Sequence, residues 1–253
     1  MYSNGYIFRY ASIMVIVVAA LLSAAALLLQ PAQERNVKIE KIQDILRSAN
    51  IESTTANAEQ LYDTYIVKEI VINSKGEEIG VYSGGKFETG DRRAFLVDVK
   101  TELKNKQLKA QGKTAAEPVF PLFIARKDNR DIYIIPLHGV GLWGPVWGNI
   151  ALNSDLKTVE GVTFGHKGET PGLGAEIATE IFTGQFPAKT IFDDKGNFTS
   201  IQVVKGGVAN SNLDPSHGVD AISGGTITSN GVSAMLNDCL ENYVTYFQNK
   251  KAL

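Results

Sequence analysis

Residues 220–229, Asp220-Ala221-Ile222-Ser223-Gly224-Gly225-Thr226-Ile227-Thr228-Ser229, close an irregular stretch and lead into the clearest regular element of the chain. Beyond Asn230, the apolar residues Val232, Met235, Leu236, Cys239, Leu240, Tyr243, Val244 and Phe247 recur at i, i+3, i+4 spacing. That spacing predicts an amphipathic helix with one face on a core. Lys250 and Lys251 follow it, where positive charge suits the negative end of the helix dipole. Ahead of the helix, two glycines leave the backbone open. The first amide N–H groups of a helix have no partners within it, and the dipole adds positive potential there. Such a stretch can hold a phosphate group without any Lys or Arg. The plainer alternative is an ordinary capping loop with Thr228 or Ser229 as N-cap. These residues alone leave both readings open.

Two other segments have the composition of a binding site. In His166-Lys167-Gly168-Glu169-Thr170-Pro171-Gly172-Leu173-Gly174-Ala175-Glu176, Pro171 between Thr170 and Gly172 requires a tight turn. The glycines there let backbone lie flat against a planar group. An irregular loop leading into a short helix fits the same residues. Gly139-Val140-Gly141-Leu142-Trp143-Gly144-Pro145-Val146-Trp147-Gly148 holds both tryptophans of the chain. Their rings suit the wall of an aromatic ligand, and suit equally the ordinary role of large core side chains.

The amino-terminal region has a different character. No charged residue occurs from Tyr10 to Gln33, and Ile13 to Leu29 is apolar except for Ser23. At about 1.5 Å per residue, a helix of that length matches a hydrocarbon layer of roughly 30 Å. Tyr6 and Tyr10 stand at one end, where aromatic rings favour the headgroup layer, and Pro31 is expected to stop the helix. A cleaved signal peptide would have a shorter apolar run and a more basic start, so the reading is an uncleaved single-pass anchor in the lipid bilayer. Arg35, Lys38 and Lys41 are offset by Glu34 and Glu40, and charge gives no orientation.

Between anchor and carboxy terminus the periodicity predicts an α+β fold with a mainly antiparallel sheet. Residues 37–49 place Ile42, Ile45, Leu46 and Ala49 on one helical face. Ile66–Asn73 reads as a strand ended by a turn at Ser74-Lys75-Gly76, and residues 94–111 as a helix stopped by Gly112. Further strands are expected at Val119–Ala125, Asp131–Pro136, Trp147–Asn153, Val159–Gly165, Thr190–Asp193 and Phe198–Val204.

Composition removes several function classes. The chain has 253 residues, a net charge of −2 and a single cysteine, Cys239. That charge gives no footprint for nucleic acid. One cysteine excludes an intrachain disulfide and cysteine-ligated metal clusters, and the natural reading of Cys239 is a small core hydrophobe. His138, His166 and His217 lack metal-ligand spacing, so no metal site is expected. Dinucleotide and nucleotide loops, zinc-protease motifs and nucleophilic triads are all missing, and no catalytic residue is assigned.

Taken together, the three segments and the anchor resemble the NqrC family, the C subunits of the sodium-translocating NADH:quinone reductase. Ser223-Gly224-Gly225-Thr226 is similar to that family's S-G-A-T flavinylation sequence, with Asp220 as the preceding acidic residue and Gly225 where alanine is usual. Glu169-Thr170-Pro171-Gly172-Leu173-Gly174 matches its E-T-P-G-L-G, and Gly141-Leu142-Trp143-Gly144 its G-L-W-G. The resemblance implies FMN bound covalently as a phosphoester of Thr226, loaded by a separate flavin transferase that reads Asp220, Ser223, Gly224 and Gly225. It implies a pocket drawn from Leu142, Trp143, Thr170, Gly172, Leu173 and Gly174. It also implies an electron relay within a membrane complex of several subunits that couples NADH and quinone chemistry to sodium export. The implied layout is a tail at 1–9, an anchor at 10–33 and one extracytoplasmic domain at 34–253, with the FMN-binding region at about 137–248. The G subunit of the Rnf ferredoxin:NAD oxidoreductase shares two of the motifs. A membrane-tethered flavin sensor and a plain secreted domain without cofactor are the other readings.

Overall fold

The computed structural model describes residues 3–251. The chain divides into two compact units, Met1–Ile42 and Gln43–Leu253. Helix α1 spans Asn4–Ser48 and is long and apolar enough to cross a membrane. Its residues from Ile13 to Leu29 are exposed, as a lipid-facing segment would be. Pro31 lies inside this helix and does not stop it, contrary to expectation. A proline removes one helical hydrogen bond. The flanking Ala, Leu, Gln, Glu and Arg residues are strong helix formers and carry the helix through. The separate helix expected at 37–49 is therefore the end of the same element. It stops at Ser48, and Asn50 just beyond takes the left-handed conformation (φ 56°) common past a helix end.

In the second unit, helix α2 (Ala58–Tyr65) leads into a seven-stranded, wholly antiparallel sheet. Its strands are β1 (Ile66–Asn73), β2 (Glu78–Ser83), β3 (Lys86–Thr89), β4 (Val119–Lys127), β5 (Arg130–Val140), β6 (Pro145–Leu152) and β7 (Val159–His166), in spatial order β3-β2-β1-β4-β5-β6-β7. The end of α1 packs against β7, where a Cβ on Gly161 would meet the Ser48 carbonyl oxygen at 2.5 Å. Thr163 Oγ1 donates to the Asp44 carbonyl at 3.2 Å and Asn50 Nδ2 to that of Glu160 at 3.2 Å. Where one helix was expected at 94–111 there is a 3-10 turn (Ala94–Leu96) followed by α3 (Val99–Ala110). The extended pair Val97 and Asp98 separates them, and Gly112 (φ 71°) ends α3 as expected.

Two expected strands are absent in that form. Thr190 and Phe192 make only isolated bridges, to Thr158 and Phe198. The Asp193 carboxylate accepts from the amides of Lys195 and Asn197, folding the chain into a tight turn. Ser200 then adopts φ 58°, which breaks extension again. Only β8 (Gln202–Val204) survives from the second run, paired in parallel with β9 (Gly218–Asp220). Along the chain, the short helix α4 (Glu180–Thr183) lies between β7 and β8.

The carboxy-terminal helix runs as α5 (Thr226–Leu240), a 3-10 turn at Glu241–Tyr243, and α6 (Val244–Lys251). Its apolar stripe is buried as the spacing predicts at Val232, Met235, Leu236, Cys239, Leu240, Tyr243 and Phe247, whereas Val244 is half-buried and Tyr246 joins the core instead. Cys239 is part of that core, and burial pushes its thiol up to about 12. Helix α5 reaches β5 through two glycines. A Cβ on Gly139 would meet Met235 Cβ at 2.6 Å, and one on Gly231 would collide with the Val140 carbonyl oxygen. This contact brings the start of α5 to the end of β5.

Candidate functional site

The Gly141–Gly144 segment is the turn of the β5–β6 hairpin. Val140 pairs with Pro145, and the Gly141 amide donates to the Gly144 carbonyl at 2.8 Å. Leu142 and Trp143 stand exposed at its tip. After β7 comes the second segment, whose Thr170-Pro171-Gly172-Leu173 residues form a tight turn. The Leu173 amide donates to the Thr170 carbonyl at 3.1 Å, and Gly172 takes φ 74°. Proline second and a left-handed glycine third are what a type II turn demands. It presents Leu173 outward and leads into a 3-10 turn at Gly174–Ala178.

The third segment starts α5, but one turn earlier than either expected cap. Gly225 is the N-cap, and no side chain caps the helix. Both hydroxyls expected to cap it are engaged elsewhere. Thr228 Oγ1 donates to Glu169 Oε2 at 2.5 Å, and Ser229 Oγ accepts from the Ile222 amide at 3.2 Å. Among the described residues, nothing accepts from the backbone amides of Thr226, Ile227 and Thr228. Thr226 is the first helical residue and is half-buried.

These three segments converge on one cleft of about 390 Å³, lined by Leu142, Trp143, Glu169, Thr170, Leu173, Gly174 and residues 224–228. Of the expected site residues, Leu142, Trp143, Thr170, Leu173, Gly174, Gly224, Gly225 and Thr226 line it. Asp220, Ser223 and Gly172 do not. The Asp220 carboxylate accepts from the Val208 amide at 2.7 Å, and its amide donates to Gln185 Oε1 at 2.7 Å, so it braces the β8–β9 region. Ser223 is exposed in the turn before the helix. Gly172 donates its amide to Glu176 Oε1 at 2.9 Å, and its role is the turn itself. Trp147 also lies elsewhere, against Gly165 of β7.

Gly224 has two reasons to lack a side chain: φ is 75°, and a Cβ would meet Leu173 Cδ2 at 2.5 Å. Gly225 has ordinary φ (−103°), and a Cβ there would press on the Ile222 side chain at 3.1 Å and touch the Gly174 amide nitrogen at an ordinary 3.4 Å.

Sequence reasoning missed Glu169, Thr228 and Ile227 as lining residues. Glu169 is buried, and its other carboxylate oxygen accepts the Trp143 amide at 2.9 Å. A lone acid embedded in a Pro/Gly turn was the available signal for it.

The arrangement has the features that FMN requires. Exposed apolar side chains (Leu142, Trp143, Leu173 and Ile227) suit the faces of an aromatic ring system. Unpartnered amides at the positive end of a helix suit a phosphate. Among the described residues, no Lys or Arg lines the cleft, so the helix start would carry that task. Fold and site thus define a flavin-binding domain joined to an apolar helix of membrane-spanning length, and a family model described as "FMN-binding domain" matches residues 141–241.

Relatives narrow the class. The C subunit of the Na⁺-translocating NADH-quinone reductase of Vibrio parahaemolyticus is 34% identical over 220 residues, covering 86% of this chain and 83% of that one. The crystal structure of the same enzyme's C subunit from Parabacteroides distasonis is 39% identical with a TM-score of 0.71, over 87% of this chain and 96% of that one. That of Shewanella oneidensis NqrC is 28% identical with a TM-score of 0.63, over 86% and 100%. This chain belongs to the NqrC family, the C subunits of the Na⁺-translocating NADH-quinone reductase.

Proposed function

We propose that this chain carries FMN as a phosphoester of Thr226 and passes electrons within a membrane-bound, sodium-exporting NADH:quinone reductase. The observation that carries the reading is the position of Thr226. It is the first residue of α5, beside amides without partners and in a cleft with apolar walls. In this reading the Thr226 hydroxyl gives up its proton and displaces AMP from FAD, the new ester forming with the flavin-bearing phosphorus. A flavin transferase would catalyse that step. The remaining negative charge on the phosphodiester would rest against the helix amides. Trp143 and Leu173 would flank the flavin, and the protein would supply position and electrostatics while the flavin supplies redox chemistry.

The remaining parts follow from this reading and the family. Helix α1 would anchor the chain in the inner membrane through residues 10–33, leaving 34–253 on the extracytoplasmic side. Free FMN is scarce there, and a tether gives the flavin a high effective concentration at its cleft. Neighbouring proteins of the complex would deliver and accept the electrons, so the chain alone would not turn over NADH or quinone. The test is a denaturing gel of the full chain co-expressed with a flavin transferase. A yellow-fluorescent band that vanishes in Thr226→Ala supports covalent attachment; no fluorescence in the parent contradicts it.

A further inference from the structure

Glu169 is 4% exposed, and its two carboxylate oxygens point in different directions. Oε1 accepts the backbone amide of Trp143 at 2.9 Å, and Oε2 accepts the Thr228 hydroxyl at 2.5 Å. Its own amide donates to His166 Nδ1 at 3.3 Å. Two glycines make room for the carboxylate. A Cβ on Gly141 would meet Oε1 at 2.5 Å, and one on Gly174 would collide with Oε2 and meet Thr228 Oγ1 at 2.6 Å. Among the described residues, no Lys or Arg pairs with Glu169. Burying an acid without a cation is costly, and an apolar side chain would serve the fold alone better. What Glu169 alone provides is a pair of acceptors that join the hairpin tip to the first turn of α5.

We propose that Glu169 is the positioning residue of the cleft, fixing the Trp143 wall against the helix turn that carries Thr226. The inference rests on the flavin site proposed above, but it concerns side chains of this chain and can be tested without flavin. Glu169→Gln keeps the shape: the amide oxygen accepts from Trp143 and the NH₂ donates to Thr228 Oγ1. Glu169→Ala removes both links, and Thr228→Val removes one with little change of volume.

The first measurement is amide hydrogen exchange of the flavin-free chain. Exchange at the Trp143 amide should accelerate at least about tenfold in Glu169→Ala, the size expected for loss of one net hydrogen bond. It should stay near the parent value in Glu169→Gln. The second is visible circular dichroism of flavin-loaded chains, with the fluorescent gel band checked separately. The flavin signal should fall by more than half in Glu169→Ala and Thr228→Val while the band persists, and should be retained in Glu169→Gln. If Glu169→Ala does not fold, Thr228→Val carries the dichroism test alone. Unchanged Trp143 exchange in Glu169→Ala would overturn the proposal. So would an equal loss of dichroism in Glu169→Gln and Glu169→Ala, or an undiminished signal in Thr228→Val. A missing gel band in the parent would instead strike the Thr226 reading and leave the exchange result to decide this one.

Discussion

The α carbon of Gly231 faces the carbonyl oxygen of Val140 so closely that no side chain fits between them. Because Val140 ends β5 and Gly231 lies in the second turn of α5, this contact sets how near the Thr226 turn comes to the Trp143 hairpin. Gly231→Ala would gain about 1 kcal/mol of helix propensity. It would also force a methyl into backbone that cannot rotate away, and overpacking costs about 1–3 kcal/mol. With backbone on both sides of the clash the cost lies at the upper end: chemical unfolding should show a net loss of up to about 2 kcal/mol, and a more stable Gly231→Ala chain would refute the contact.

Gly224 and Gly225 separate two kinds of glycine. Gly224→Ala meets both a left-handed backbone, worth about 1–2 kcal/mol, and the Leu173 side chain, which would be pushed from its place at the cleft. Covalent flavin content, read by the ratio of flavin to protein absorbance, should drop several-fold. Gly225→Ala asks Ile222 to move by only a few tenths of an ångström. Its flavin content should stay within about twofold of the parent, since neighbouring side chains absorb shifts of that size.

A second acid, Glu69, is buried far from these motifs in sequence and is held by Arg93, by the Tyr62 hydroxyl at 3.1 Å and by the Phe95 amide at 3.0 Å. Arg93 also lies 4.1 Å over the Tyr82 ring. Arg93→Ala leaves that acid without its cation. The expected loss is about 3 kcal/mol, at the low end for a buried pair because the Arg93 side chain keeps contact with water. Covalent flavin content at room temperature should not change, which distinguishes this pair from Glu169.

His138 gives the fold an acid dependence. Burial, and then the positive charge of Lys100, hold its imidazole below the ordinary value of 6.5, with Asp98 opposing. The folded chain therefore keeps His138 neutral where the unfolded chain takes up a proton. Stability is flat above about pH 6.5 from this group and declines as pH falls below it, until the lowered folded value is passed. His138→Gln should reduce the drop in unfolding midpoint between about pH 7.5 and about pH 5.5. An identical drop in both chains would show that His138 is not its source.

Much of this was legible from periodicity. Strand β1 falls on its expected bounds, and the stripe from Val232 to Phe247 is buried except at half-buried Val244. The type II turn at Pro171-Gly172 also follows from residue type, because few other conformations suit that pair. The misses at the site share a cause: each depended on a partner distant in sequence or hidden in a loop. Thr228 and Ser229 look like caps until Glu169 and Ile222 claim their hydroxyls. Asp220 looked like part of the loop, yet its partners are Val208 and Gln185. Pro31 looked like a stop, but strong helix formers on both sides outweigh one lost hydrogen bond. Strands β2 and β3 are short and partly polar, so their alternation was too brief to register.

The claim at the centre is that flavin is joined to the protein at Thr226. Its most direct test is fragmentation mass spectrometry of the peptide spanning residues 206–250, taken from the chain co-expressed with a flavin transferase. The predicted result is a mass increase equal to FMN less one water, retained on fragments containing Thr226 and absent from Thr226→Ala. An unmodified peptide, or the same increment on Ser223, Thr228 or Ser229 with Thr226 bare, would contradict it.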